Sequence, residues 1–158
     1  MKKELNIVIA GAFLWCAGFF LAPIIAGTRP SELLYSIYSV VCHQFGSRSF
    51  HLYGASLAVC IRCSSIYISF LVTLIVLRSS YRLREVKFNG LLLAGIAALP
   101  MAVDGVCSLI GLVQSTDISR LITGAIFGAG MALLLHQPLS GTVHSLFFNR
   151  TSQYELKA

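Results

Sequence analysis

Residues 5–27 read LNIVIAGAFLWCAGFFLAPIIAG, a run without one charged side chain, and this run decides the fold class. A helix needs roughly 20 apolar residues to cross a hydrocarbon core about 30 Å thick. The run meets that length. Lys2 and Lys3 stand just before it, as they would before a signal peptide. Signal h-regions are shorter, about 7–15 residues, so the run is expected to be retained as a span.

Three further runs have the same character: residues 55–77, 88–113 and 118–138. Backbone groups in lipid must be bonded internally, which favours helices. The expected fold class is therefore all-α, an integral membrane bundle of four transmembrane helices. One transmembrane domain is expected over residues 1–140, with a cytoplasmic tail over 141–158. Composition agrees: the 158 residues are 56% hydrophobic and 11% charged, with mean hydropathy +0.79. Soluble domains carry about 25% charged residues, and so few charges cannot cover a water-soluble surface of this size. The net charge of +6 is not a nucleic-acid signal, because the basic residues lie mostly in the gaps between the runs.

Those gaps set the expected orientation. With the N-terminus in the cytoplasm, Lys2, Lys3, Arg78, Arg82, Arg84, Lys87, Arg150 and Lys157 all lie inside, and Arg29, Arg48, Arg62 and Arg120 lie outside. The positive-inside rule then predicts a multi-pass protein of the cell membrane with both termini cytoplasmic. The long outer connection, residues 28–54, contains Leu33, Leu34, Ile37, Val40 and Val41 at helical spacing. It is expected to hold a short amphipathic helix at the interface, with Tyr35 and Tyr38 at headgroup level.

The chemistry-bearing residues fall in three separate stretches that this topology gathers at the outer side. The first holds Cys42-His43-Gln44 and Arg48-Ser49-Phe50; the second is Cys60-Ile61-Arg62-Cys63; the third is Asp104-Gly105, followed by Arg120 at the start of the last run. Only 15 residues lie between Arg62 and Arg78, about 22 Å of helix. Arg62 must therefore snorkel, pair or face a cavity. Asp104 is expected about 13 Å deep, where a bare carboxylate is too costly. It should be protonated, metal-bound or paired, with Arg62 or Arg120 as partner. Pro100, one turn earlier, removes a backbone donor from the same helix.

The cysteines admit three readings. Cys60 and Cys63, at i and i+3, share a helix face. With Cys42 and His43 they offer a thiolate–imidazole set of the kind that zinc or another transition metal takes. Alternatively, a Cys-x2-Cys pair beside Arg62, on an oxidising side, suits thiol–disulfide chemistry with a membrane quinone as acceptor. Cys107 would then be the missing fourth thiol. A structural disulfide or small buried residues is the third reading. Cys16 is expected to be an apolar filler. Gly124-x3-Gly128 fits close helix packing in the last span.

Taken in order, Cys42-His43-Gln44, Arg48-Ser49-Phe50, Cys60-x-Arg62-Cys63 with Ile66-Tyr67, Asp104-Gly105 and Arg120-x2-Thr123-Gly124 resemble a known pattern. It is that of the small predicted membrane proteins catalogued as domain of unknown function 2085. The resemblance spans roughly residues 30–130. It implies a multi-span membrane protein with these positions as the site, and it implies no particular reaction.

Three expectations follow. In the first, Cys42, His43, Cys60 and Cys63 bind the metal, while Arg48, Arg62, Arg120 and Gln44 hold an anionic group such as that of an anionic lipid. Asp104 then orients an arginine or acts as general base. In the second, Cys60 and Cys63 are a redox pair working with a quinone. In the third, the protein is a non-catalytic membrane subunit whose polar cluster ties helices together. The lipid bilayer is the expected surrounding in all three.

Overall fold

Glycine and proline placement marks most of the boundaries in the computed structural model, which describes residues 2–79, 90–112 and 115–139. Helix α1 (Lys2–Ile24) ends just before Gly27, whose φ of +85° turns the chain. Thr28 then caps α2 (Arg29–Ser39), with Pro30 in its first turn and Glu32 near its positive end. After a short 3₁₀ turn (Gly46–Arg48) comes a small hairpin of β1 (His51–Leu52) and β2 (Ala55–Ser56). Its loop, Tyr53-Gly54, has φ of +52° and +83°, the left-handed pair that two-residue hairpin loops require. Then follow α3 (Ile61–Ser79), α4 (Gly90–Leu109) and α5 (Asp117–Leu139), the last capped by Thr116, whose Oγ1 accepts from the Ser119 N–H at 3.2 Å.

The protein is an all-α membrane bundle. Helices α1, α3, α4 and α5 are long and apolar enough to cross a membrane, and at most 28% of the residues in each apolar window are buried. The outward surface of these helices is thus largely apolar side chain, including Leu14, Val72, Leu99 and Ile122. Lipid is the solvent that such a surface fits.

The spans stand in the order α1, α3, α5, α4. Helix α1 packs on α3, α3 on α5, and α5 on α4. The α3–α5 contact is the tightest. A Cβ on Gly124 would lie 2.7 Å from the Arg62 carbonyl oxygen and collide with Ser65 Oγ. One on Gly128 would strike the Ile66 carbonyl and Ser69 Oγ. Two glycines one turn apart therefore let α5 approach the α3 backbone directly, as the small-residue spacing predicts.

Three sequence expectations change. The second span begins at Ile61, not at residue 55, because the six residues before it form the end of the hairpin and an extended approach. Helix α4 ends at Leu109 rather than 113, with Gly111 at φ +74° turning the chain. Tyr35 and Tyr38 do not face a headgroup layer. Tyr38 is 3% exposed, its hydroxyl donates to the Trp15 carbonyl at 2.6 Å, and the Tyr35 hydroxyl donates to the Ser56 carbonyl. Tyr38 faces inward because α2 docks on α1, where Ser31 Oγ likewise donates to the Ala22 carbonyl at 2.8 Å, and half-buried Tyr35 turns to the hairpin. The apolar stripe of α2, with Leu33 and Ile37 and continuing to Val40 and Val41, is left facing outward. Helix α4 continues unbroken through Pro100. The expected tail over 141–158, and the basic residues Arg82, Arg84 and Lys87, lie outside the described residues.

Candidate thiol and arginine site

Cys42 lies three residues past the end of α2. Its N–H still donates to the Tyr38 carbonyl at 2.9 Å, so the last turn of the helix aims the side chain inward, where it is 4% exposed. Cys60 stands at the N-cap position of α3: its carbonyl accepts the Ser64 N–H at 2.9 Å, and its own N–H donates to Cys42 Sγ at 3.2 Å. Cys63 lies one turn into α3. The three sulfur atoms lie within 4.8 Å of one another. Gln44, at φ +51°, holds the two chain segments together: its amide nitrogen donates to the Tyr35 carbonyl at 2.7 Å and the Ala58 carbonyl at 2.8 Å. A non-glycine residue in that region costs free energy, and two buried-side hydrogen bonds offset the cost. Gln44, expected to contact a ligand, lines the cavity beside the thiols, and its nitrogen is also a brace behind them.

The Cys60 thiol is pushed well below the ordinary thiol range, to about 5. The largest cause is the Cys63 thiol donating to its sulfur; the backbone N–H groups of Cys63 and Arg62 and the Cys42 thiol act in the same direction, and burial opposes them. This is the electrostatics of a helix N-terminus, where unpaired N–H groups favour an anion.

His43 does not join the three sulfurs. Its ring stacks on Phe45, with centroids 6.0 Å apart and planes 3° apart. Adjacent residues after a helix end point in different directions, and Cys42 takes the inward one. Cys16 and Cys107 also stand outside the group.

Beside the thiols is a cavity of about 250 Å³ lined by Cys42, Cys60 and Cys63, by His43, Gln44 and Phe45, and by Arg48, Arg62 and Arg120. Each arginine has a different setting. Arg62 Nη2 forms an ion pair with Asp104 Oδ2 and donates to Ser115 Oγ at 3.2 Å. Ser115 Oγ in turn donates to the carboxylate, at 2.8 Å from Oδ2, and Ser119 Oγ donates to Oδ1. Among the described residues, buried Arg62 Nε has no hydrogen-bond partner. Arg120 Nη1 bonds Asp117 Oδ1 at 3.2 Å, one turn away on the same helix. The Arg48 guanidinium sits over the Phe45 ring, 5.5 Å from its centroid.

Asp104 therefore pairs with Arg62 and not with Arg120. It lies five residues before the end of α4, about 8 Å along the axis, shallower than expected because α4 ends early. Ser115 and Ser119 complete its shell and were not foreseen. Their spacing of four around the Thr116 cap is the one available signal, and serines in that setting read as ordinary capping residues.

Comparison with known proteins gives two concordant results. A family model described as "Predicted membrane protein (DUF2085)" matches residues 42–134, the segment that contains the thiols, Arg62, Asp104 and Arg120. An uncharacterised protein of Methanocaldococcus jannaschii is 38% identical over 136 residues, covering 81% of this chain and 87% of that protein. One from Methanothermobacter thermautotrophicus is 30% identical over 103 residues, covering 61% of this chain and 86% of that protein. No solved structure matches.

Proposed function

The chain belongs to the DUF2085 family of predicted membrane proteins, and from that premise we propose that it carries a metal–thiolate centre at one face of the membrane. Cys42, Cys60 and Cys63 are the ligands, zinc or a similar transition metal is the ion, and an anionic or lipid-phase ligand binds beside it. The observation that carries this reading is the gathering of three sulfurs, from segments 18 residues apart, within 4.8 Å. Thiolates at about 2.3 Å from a tetrahedral zinc stand about 3.8 Å apart, so a small inward adjustment closes the set. The fourth position opens on the cavity with Arg48 and Arg120. Three protein ligands and an open position are the pattern of metal sites that bind or activate something, as opposed to closed structural ones. Arg62 and Asp104, being paired, orient the Cys60–Cys63 turn. In this reading the site faces the extracytoplasmic side of the cell membrane, as the charge bias predicts.

Metal content of detergent-purified, fully reduced protein tests the reading. About one metal ion per chain is expected, with loss in Cys60→Ser; a metal-free reduced wild type overturns it.

A second reading draws on the low Cys60 thiol and its hydrogen bond with Cys63. The pair would form a disulfide, releasing two protons and two electrons to a quinone, which becomes a quinol. Thiol trapping in intact cells separates the two: cycling between reduced and oxidised pairs favours the second, and a pair that stays reduced removes it.

A further inference from the structure

We propose that the cavity beside the thiols takes the phosphate headgroup of a lipid entering sideways from the membrane, with Arg48 as the selecting cation. This rests on the reading of that cavity as the working site.

The three arginines are not equivalent. Arg62 is neutralised by Asp104 within a shell completed by Ser115 and Ser119. Arg120 is paired with Asp117. Among the described residues no carboxylate pairs with Arg48, which is held only against Phe45. Among the described residues it is therefore the exposed cation at the cavity that no carboxylate compensates. Arg120 commits one of its five donors to Asp117 and keeps others beside Arg48. Two guanidinium groups supply more N–H donors than the two oxygens of a carboxylate take up, whereas a phosphate monoester has the oxygens and the charge to engage both.

The rim carries the second half of the argument. Val41 and Phe45 line the cavity and are also exposed beyond it. They continue the outward stripe of Leu33, Ile37 and Val40, the last 84% exposed. Apolar surface of this kind beside a membrane bundle lies against acyl chains. A ligand with a phosphate head and an apolar tail meets both features. Free phosphate would leave the stripe unused, and a neutral lipid would leave Arg48 uncompensated.

The test uses full-length protein in dodecyl maltoside and native mass spectrometry with three probes: dioctanoyl phosphatidic acid, dioctanoylglycerol and inorganic phosphate. Wild type is expected to bind phosphatidic acid at least about tenfold more tightly than either other probe, and Arg48→Ala to weaken that binding by about tenfold, a single charge-assisted contact. Arg48→Lys should restore part of it. Val40→Ser with Val41→Ser should weaken the lipid and leave inorganic phosphate unchanged. Phosphatidic acid bound equally by wild type and Arg48→Ala, with matched thermal unfolding, overturns the proposal. So does inorganic phosphate binding as tightly as the lipid. Metal content is measured on the same samples. Arg48-dependent lipid binding without metal removes the metal centre alone, and metal without Arg48-dependent lipid binding removes this proposal alone.

Discussion

Asp104 of α4 and Arg62 of α3 form an ion pair across the N-terminal end of α5, the helix that stands between their own. The pair links the outermost span to the segment that carries two of the thiols. Its side chains are only 22% and 16% exposed. Removing one member leaves an uncompensated charge.

Arg62→Ala or Asp104→Ala is therefore expected to cost about 1–3 kcal/mol, less than breaking a fully buried pair because both side chains are half-buried. The double replacement Arg62→Ala, Asp104→Ala should lose less than the sum of the two single losses. Thermal unfolding of the four proteins in one detergent gives the coupling. Strict additivity of the single losses would mean that the two groups act independently.

The α3–α5 contact gives a contrast between glycines. Gly124→Ala and Gly128→Ala force α5 off the α3 backbone, and overpacking of this kind costs about 1–3 kcal/mol. Gly11, with nothing within 4 Å of an added Cβ, should accept alanine with no loss, or gain up to about 1 kcal/mol of helix propensity. A melting temperature unchanged in Gly124→Ala would contradict the packing described.

Tyr38 tests how α2 is held. Tyr38→Phe removes the hydroxyl that donates to Trp15, at a net cost of about 1 kcal/mol. With that link to α1 gone, α2 should loosen first. Faster hydrogen exchange over residues 29–42, with the spans unchanged, is the expected result; uniform acceleration along the chain would not fit.

The low Cys60 thiol sets a pH dependence. In metal-free protein the thiolate persists to more acidic pH than an ordinary cysteine, because the Cys63 thiol hydrogen-bonds its charged form. Alkylation of Cys60 should reach half its maximal rate well below the ordinary value of about 8.5. Cys63→Ala, which removes the main donor, should shift that midpoint upward. Bound metal, whose ligands must be deprotonated, should instead be released as pH falls through the thiol range. An ordinary alkylation profile for Cys60 would contradict the N-cap geometry.

The spans were legible because their apolar runs are too long for a signal peptide or a soluble core helix, and Gly124-x3-Gly128 was legible because small residues at that spacing have one principal use. The union of Cys42 with Cys60 and Cys63 also follows from the topology. What the sequence hid depends on direction, not on proximity. His43 adjoins Cys42, yet the end of α2 points the two apart. Tyr35 and Tyr38 suit an interface by composition, but their hydroxyls donate instead to the backbone carbonyls of Ser56 and Trp15. Residues 55–60 are apolar enough to belong to a span, and only the left-handed Tyr53-Gly54 loop reveals a hairpin there. Ser115 and Ser119 carry no mark that separates them from capping residues.

The two glycines on α5 also determine which parts of the site are free to move. Because they seat that helix directly on the main chain of α3, Cys63 and the turn that begins at Cys60 rest on a closely packed anvil. Cys42 comes instead from the loop braced by Gln44 in its left-handed conformation. Any widening of the sulfur trio is thus expected to be the lifting of a single hammer, restrained by the Gln44 brace, and a spectroscopic ruler between positions 42 and 63 would record its stroke.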